Sequence, residues 1–225
     1  MKAMVMAAGR GERLRPLTDT LPKPLAPVAG KPLILYHLEA LARAGVRDVV
    51  INLSWLGDLI KTALGDGHDY GVRIHYSEEG PVPLETAGGI FKALPLLGPE
   101  PFLVVNGDVW TDIDFSRLAL DDAADARIVL VPNPSHNPRG DFALDGDAVL
   151  ERDDARQSYT YSGVGMYRAE FFSGCSPGKF PLLPLLKRAI AARRLYGQLH
   201  RGEWFDIGSM ERLRELDSRV RSIVR

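Results

Sequence analysis

Three short stretches of this 225-residue chain carry residue types suited to chemistry on phosphate. The first is Met6-Ala7-Ala8-Gly9-Arg10-Gly11-Glu12-Arg13-Leu14-Arg15-Pro16, followed by Lys23-Pro24. Glycines let backbone bend closely around an anion and aim its N–H groups at phosphate oxygens. The arginines and Lys23 add charge-assisted donors. The spacing is not that of a P-loop, which needs GxxxxGK and then Ser or Thr, and Gly9-Arg10-Gly11 alone makes no dinucleotide fingerprint. A structural turn with a solvated basic face stays open as the alternative.

The second stretch is Asn106-Gly107-Asp108-Val109-Trp110-Thr111-Asp112, directly after the apolar run Phe102-Leu103-Val104-Val105. A carboxylate fixed at the end of a buried strand suits a hard cation such as Mg2+; a turn or cap is the plainer role for Asp108. The third is Trp204-Phe205-Asp206-Ile207-Gly208-Ser209. Here Asp206 interrupts an apolar run and supplies a second carboxylate of the kind phosphoryl transfer uses with a metal. Weaker signals are Leu84-Glu85-Thr86-Ala87-Gly88-Gly89, where Glu85 could accept from a nucleotide, and Arg139-Gly140-Asp141, Glu151 and Ser162-Gly163. His37 and His75 fall in a helix and a strand, where packing or solvation explains them.

Elements must deliver these residues to one place. Ala3–Met6 reads as a buried strand ending at the glycine loop. Leu33, Ile34, His37, Leu38, Leu41 and Ala42 recur at helical spacing between Pro32 and Gly45. Val49–Ile51 is a strand, residues 55–63 a helix, and Val72, Ile74 and Tyr76 alternate as a strand does. Phe102–Val105 is apolar throughout, as expected of a strand covered on both faces. Further on come a strand at Ile128–Val131, a hairpin around Asp145-Gly146-Asp147, a strand at Tyr159–Tyr167, and helices at Leu182–Arg194 and Met210–Val220. Strands alternating with helices predict a Rossmann-like α/β fold. Its sheet is expected to be mixed but mainly parallel, with helices on both faces and a small β lobe from residues about 136–168. The chemistry then belongs beyond the carboxyl ends of the strands.

Composition sets the bounds. At 45% hydrophobic and 25% charged residues the chain is globular rather than disordered. A net charge of −1 gives no reason to expect nucleic acid. The single cysteine, Cys175, can form neither an internal disulfide nor a cysteine metal site. The apolar start is too short for a leader or a membrane span. A cytoplasmic, monomeric, single-domain protein over 1–225, without membrane attachment, is the expectation.

The glycine loop with its downstream Lys23-Pro24-Leu25, together with Asn106-Gly107-Asp108 and Phe205-Asp206-Ile207-Gly208, resembles the sugar-1-phosphate nucleotidyltransferases over nearly the whole chain. Within that family, the stretches at 83–94, 106–112, 139–142 and 204–213 are similar to members that take UTP and N-acetylmuramate 1-phosphate in cell-wall recycling. Members joining GTP to mannose 1-phosphate share the same plan, and a noncatalytic nucleotide- or sugar-phosphate-binding regulator is a third reading. The resemblance implies in-line attack of a sugar phosphate oxygen on the α-phosphorus of the triphosphate, with diphosphate leaving and Mg2+ as cofactor. It implies Arg13, Lys23, Asp108 and Asp206 as catalytic residues, with Asp108 and Asp206 holding the metal. The nucleotide side would comprise Ala7, Ala8, Gly9, Arg10, Gly11, Glu12, Arg13, Lys23, Glu85, Ala87, Gly88, Asn106 and Asp108. The sugar side would comprise Gly140, Asp141, Glu151, Ser162 and Gly163. Lys179 keeps no assigned role.

Overall fold

The computed structural model describes residues 1–153 and 155–223. β1 (Lys2–Met6) leads into the glycine loop, which holds the short helix α1 (Leu17–Thr20), and then into a two-residue ladder of β2 (Pro27–Val28) with β3 (Lys31–Pro32). Helix α2 (Leu33–Arg43), β4 (Asp48–Leu53), α3 (Gly57–Leu64) and β5 (Arg73–Glu78) follow. Next come α4 (Glu85–Leu97), β6 (Phe102–Asn106), β7 (Val109–Thr111) and β8 (Ala126–Val131). The hairpin β9 (Phe142–Asp145) and β10 (Ala148–Glu151) precedes β11 (Ser158–Tyr167), α5 (Leu183–Ala191), β12 (Leu195–Leu199), β13 (Trp204–Asp206) and α6 (Met210–Ile223).

Nine strands form one sheet in the order β5-β4-β1-β6-β11-β8-β12-β10-β9. The first four run parallel, with Met4 between Val50 and Val104 in register. From β11 onward the pairings turn antiparallel, except that β12 lies parallel to β8. The expected α/β fold is therefore present, with its parallel character concentrated in the first half. The expected small β lobe is the β9–β10 hairpin, which extends this sheet through β12 and also meets β11.

Strand periodicity sorts the core. Ala3, Val5, Val49, Ile51, Leu103 and Val105 face α2 and α3, while Met4, Val50, Phe102 and Val104 face α4 and α5. Both faces are thus covered by helices. A third cluster of Leu14, Val28, Leu33, Trp110, Ile207, Leu213, Leu216 and Val220 docks α6 beside the glycine loop. Among the described residues no helix is long and apolar enough to cross a membrane.

Candidate active site

A cleft of about 680 Å³ opens at the carboxyl ends of the four parallel strands. Its lining includes Ala7 through Arg13, Lys23, Glu85, Asn106 and Asp108, so the glycine loop and the first carboxylate meet as the sequence predicted. The loop is shaped from within. Gly11 takes φ 63, a left-handed conformation where a side chain would also press on Thr18. Thr18 Oγ1 donates to the Gly11 carbonyl at 2.8 Å, and Trp55 Nε1 donates to the Thr18 carbonyl at 3.0 Å. The Arg10 guanidinium lies 5.4 Å from the Trp55 ring centre. The N–H groups of Ala8, Gly9, Arg10 and Gly11 donate to no protein acceptor among the described residues, as an anion-binding loop would require.

Lys23 is nearly buried on the cleft floor, where its Nζ donates to Asp108 Oδ2 at 2.6 Å. The close meeting of β1 and β6 needs Gly107: its N–H donates to the Met6 carbonyl at 2.9 Å, and a Cβ would sit 2.5 Å from that oxygen. Behind Asp108 lies His37 of α2, 2% exposed, with no partner for Nε2 among the described residues. Burial pushes its pKa down to about 4, against the opposing pull of a backbone hydrogen bond to Val109 and the Asp108 charge. Packing is its role, as expected.

Asp206 comes to the same corner by a different route. β13 pairs antiparallel with β7, setting Asp206 opposite Val109, and the Ile207 N–H donates to the Asp108 carbonyl at 2.7 Å. Asp206 does not line the main cleft; its Oδ1 meets Arg212 Nη1 at 2.5 Å and His136 Nε2 at 3.1 Å. The Arg212 guanidinium occupies the space a side chain at Gly208 would take, with Arg13 beside it.

Other predicted residues sit elsewhere. Ala87 is fully buried on the inner face of α4, and a methyl on Gly88 would collide with the Gly178 carbonyl. Both act in packing and neither lines the cleft. None of the five residues of the predicted sugar set lines the cleft. Ser162 is fully buried, donating to the Val129 carbonyl and accepting from the Val164 N–H. Gly163, at φ 79, fits beneath Asn106, and Gly140, at φ 61, fits against Asn133. Glu151 is exposed and paired with Lys187 at 2.7 Å. Asp141 is exposed but occupied, accepting from the Tyr161 N–H and Asn137. The loop carrying Gly140 and Asp141 does reach the corner, through His136.

Four polar residues of the cleft had no role in the sequence reading. Asn52 and Glu79 look like ordinary strand ends, and only the parallel sheet brings them to the wall. Thr86 lines the cleft at the first turn of α4. Lys179 also lines it and pairs with Glu85 at 3.5 Å; its segment is docked by reciprocal bonds of Phe180 with Leu84 and Gly88. Glu85 itself has φ 61, uncommon for a residue with a Cβ.

The carboxylates fit Mg2+ as a partner. Among the described residues no group of three or more His, Cys, Asp or Glu could hold a metal by protein ligands alone. Mg2+, however, commonly takes one or two carboxylates and completes its shell with phosphate oxygens and water. Asp108 and Asp206 each keep one carboxylate oxygen free of protein donors among the described residues, the chemistry such a donor set would need.

A Rossmann-like sheet brings a glycine loop, a buried lysine and a carboxylate to one strand-end cleft. Residues 2–140 match the family described as nucleotidyl transferase, and the chain belongs to the sugar-1-phosphate nucleotidyltransferases. It is 53% identical over 222 residues to an N-acetylmuramate alpha-1-phosphate uridylyltransferase of Neisseria meningitidis serogroup B, covering 96% of each chain. A protein of the same name from Caulobacter vibrioides is 36% identical, with 92% of this chain and 91% of that one covered. The fold matches the crystal structure of a candidate glucose-1-phosphate thymidylyltransferase from Bacillus anthracis with a TM-score of 0.84 at 21% identity, over 98% of this chain and 95% of the other. Nucleotidyl transfer to a sugar 1-phosphate is the activity of this family.

Proposed function

We propose that this protein transfers UMP from UTP to N-acetylmuramate 1-phosphate, releasing diphosphate and forming UDP-N-acetylmuramate. The observation that carries the reading is 53% identity, spread over 96% of both chains, to a relative named for that reaction. The cleft supports the reaction class. In this reading the free N–H groups of Ala8 to Gly11, with Arg10 and Arg13, bind the triphosphate. Lys23 offsets charge gathering near the α-phosphorus while Asp108 fixes its ammonium. The acceptor phosphate is already ionised near neutral pH, so no general base is needed. The protein's work is to align two anions and neutralise them.

Asp108 and Asp206 would hold Mg2+, which when bound supplies Lewis-acid stabilisation of phosphoryl oxygens. The His136 loop, packed on Asp206, gives the acceptor a boundary on that side.

The test is a matrix of UTP, GTP, CTP, dTTP and ATP against the 1-phosphates of N-acetylmuramate, N-acetylglucosamine, glucose and mannose, with Mg2+ and a diphosphate readout. The highest kcat/KM is expected for UTP with N-acetylmuramate 1-phosphate. Preference for GTP with mannose 1-phosphate would overturn the substrate assignment, and absence of diphosphate release with every pair would overturn the enzymatic one.

A further inference from the structure

Two buried polar residues on the cleft wall have no part in the reaction just described. Asn52, at the end of β4, is 1% exposed, and Glu79, just beyond β5, is 8% exposed. They complete a relay of hydrogen bonds across the cleft. The Ala7 N–H donates to Asn52 Oδ1 at 2.7 Å, Asn52 Nδ2 donates to Glu79 Oε1 at 2.6 Å, and the Leu84 N–H donates to Glu79 Oε2 at 2.6 Å. One end is the first residue of the phosphate loop; the other is the residue preceding α4.

Direction is forced at every step. A backbone N–H only donates, so the Asn52 oxygen must face Ala7 and its amide nitrogen must face Glu79. Glu79 therefore accepts at both oxygens. Gly89 of α4 makes room for this, since a Cβ there would collide with Glu79 Oε1.

The far end of the relay holds a strained segment. Leu84 is gripped at its N–H by Glu79 and at its carbonyl by the Phe180 N–H, 3.2 Å away. Directly after it stands Glu85 at φ 61, a conformation that persists in non-glycine residues only where the surroundings enforce it. Glu85 and Ala7 line opposite lips of the cleft. The only other hydrogen bond joining these lips among the described residues is the long one from Arg10 to the Pro81 carbonyl, 3.4 Å.

We infer that Asn52 and Glu79 are positioning residues which fix the phosphate loop against the start of α4 and thereby set affinity for the nucleoside triphosphate. Neither touches a reacting atom. The inference rests on the reading of this cleft as a nucleotide site.

The network supplies its own test through two near-isosteric changes. Asn52→Asp sets two acceptors face to face. Glu79→Gln opposes two donors whichever way its amide is turned. Combined, they satisfy every group again: the new carboxylate accepts from Ala7 and from the new amide, whose oxygen accepts from Leu84. Titration calorimetry with UTP in the absence of acceptor, steady-state kinetics, and amide exchange at Ala7 and Leu84 are the measurements.

Each single variant is expected to weaken UTP binding and raise its KM about tenfold, with the acceptor KM within twofold of the parent and faster exchange at both amides. The double variant should recover binding to within about threefold. Single variants that bind UTP within twofold of the parent, or that raise both KM values alike, would overturn the inference. So would a double variant no better than the worse single one. Should a single variant fail to fold, recovery or failure of the double decides alone. A parent protein that binds no nucleoside triphosphate would instead sink the reading of the cleft, which a parent that binds, with variants that bind equally, would leave intact.

Discussion

Lys23 and Asp108 form an ion pair whose two members differ in exposure, with side chains 10% and 38% exposed. That asymmetry separates their expected effects. Asp108 can hydrate if its partner is lost, so Lys23→Gln should fold; in the proposed reaction it would lose a fixed cation where charge develops. Removing one such group typically costs about 100-fold or more in kcat. The expected result is that loss, with far-ultraviolet dichroism unchanged, and a kcat within threefold of the parent would refute the role. Asp108→Asn and Asp206→Asn should likewise lose most turnover while remaining folded. His37 makes a different prediction at this scale. Its folded pKa of about 4 lies below the usual 6.5, so between those values the unfolded chain binds more protons than the folded one. Stability contributed by the neutral ring is present above pH 6.5 and lost as pH falls toward 4, amounting to about 2 kcal/mol by pH 5. His37→Asn, which keeps a donor but does not titrate, should shrink the difference in urea-unfolding free energy between pH 7 and pH 5 by about that amount. An unchanged difference would show that the ring does not govern it.

Among elements, the short β7–β13 ladder and α6 matter most, because they alone carry Asp206 to the corner beside Asp108. α6 is held by Leu213, Leu216 and Val220, and by Asp217, which accepts from the Ala29 N–H at 2.7 Å. Leu216 is fully buried, so Leu216→Ala should cost about 2–5 kcal/mol in chemical denaturation. Loosening of α6 also displaces Arg212 from Asp206, and kcat should fall more than the KM for UTP rises. The reverse pattern would disconnect α6 from catalysis. These elements also mark where the sequence stops being legible. β1, β4, β6 and α2 announce themselves by apolar runs or helical spacing, and the loop after β1 by its glycines and arginines. A three-residue strand such as β13 has no periodicity to read, and Gly197 interrupts the alternation of β12. α4 carries Gly88, Gly89 and Pro95, residues that disfavour helix interiors, yet Ile90, Ala93 and Leu97 bury its inner face. The candidate site divides in the same way. Lys23 and Asp108 stand in recognisable strings, whereas Asn52, Glu79 and Lys179 acquire meaning only when distant strands and loops are brought together. Ser162 and Glu151 illustrate the converse: suitable residue types that the fold commits to the core and to a surface ion pair.

At the scale of the whole molecule, the four parallel strands end on one side, and each end delivers a piece of the cleft. β1 gives the glycine loop, β4 gives Asn52, β5 gives Glu79 and β6 gives Asp108. This is the general placement of ligands in open α/β sheets, beyond the carboxyl edge. The antiparallel half contributes through loops, His136 and Lys179 among them. Charges on the cleft lining are balanced between Arg10, Arg13, Lys23, Lys179 and Glu12, Glu79, Glu85, Asp108. Lys23 and Lys179 are paired with carboxylates, whereas Arg10 and Arg13 have no carboxylate partner among the described residues. If Asp108 and Asp206 are the donor set, as proposed, the protein alone should bind Mg2+ weakly and bind it well only with the triphosphate. Excess EDTA should therefore leave the melting temperature of the nucleotide-free protein unchanged. In 1 mM UTP with Mg2+ the melting temperature should rise by several degrees, as linkage requires of a ligand well above its Kd, and EDTA should remove most of that rise together with diphosphate release. A large fall in melting temperature on adding EDTA without nucleotide would instead reveal a structural metal, and a different account of Asp108 and Asp206 would be required.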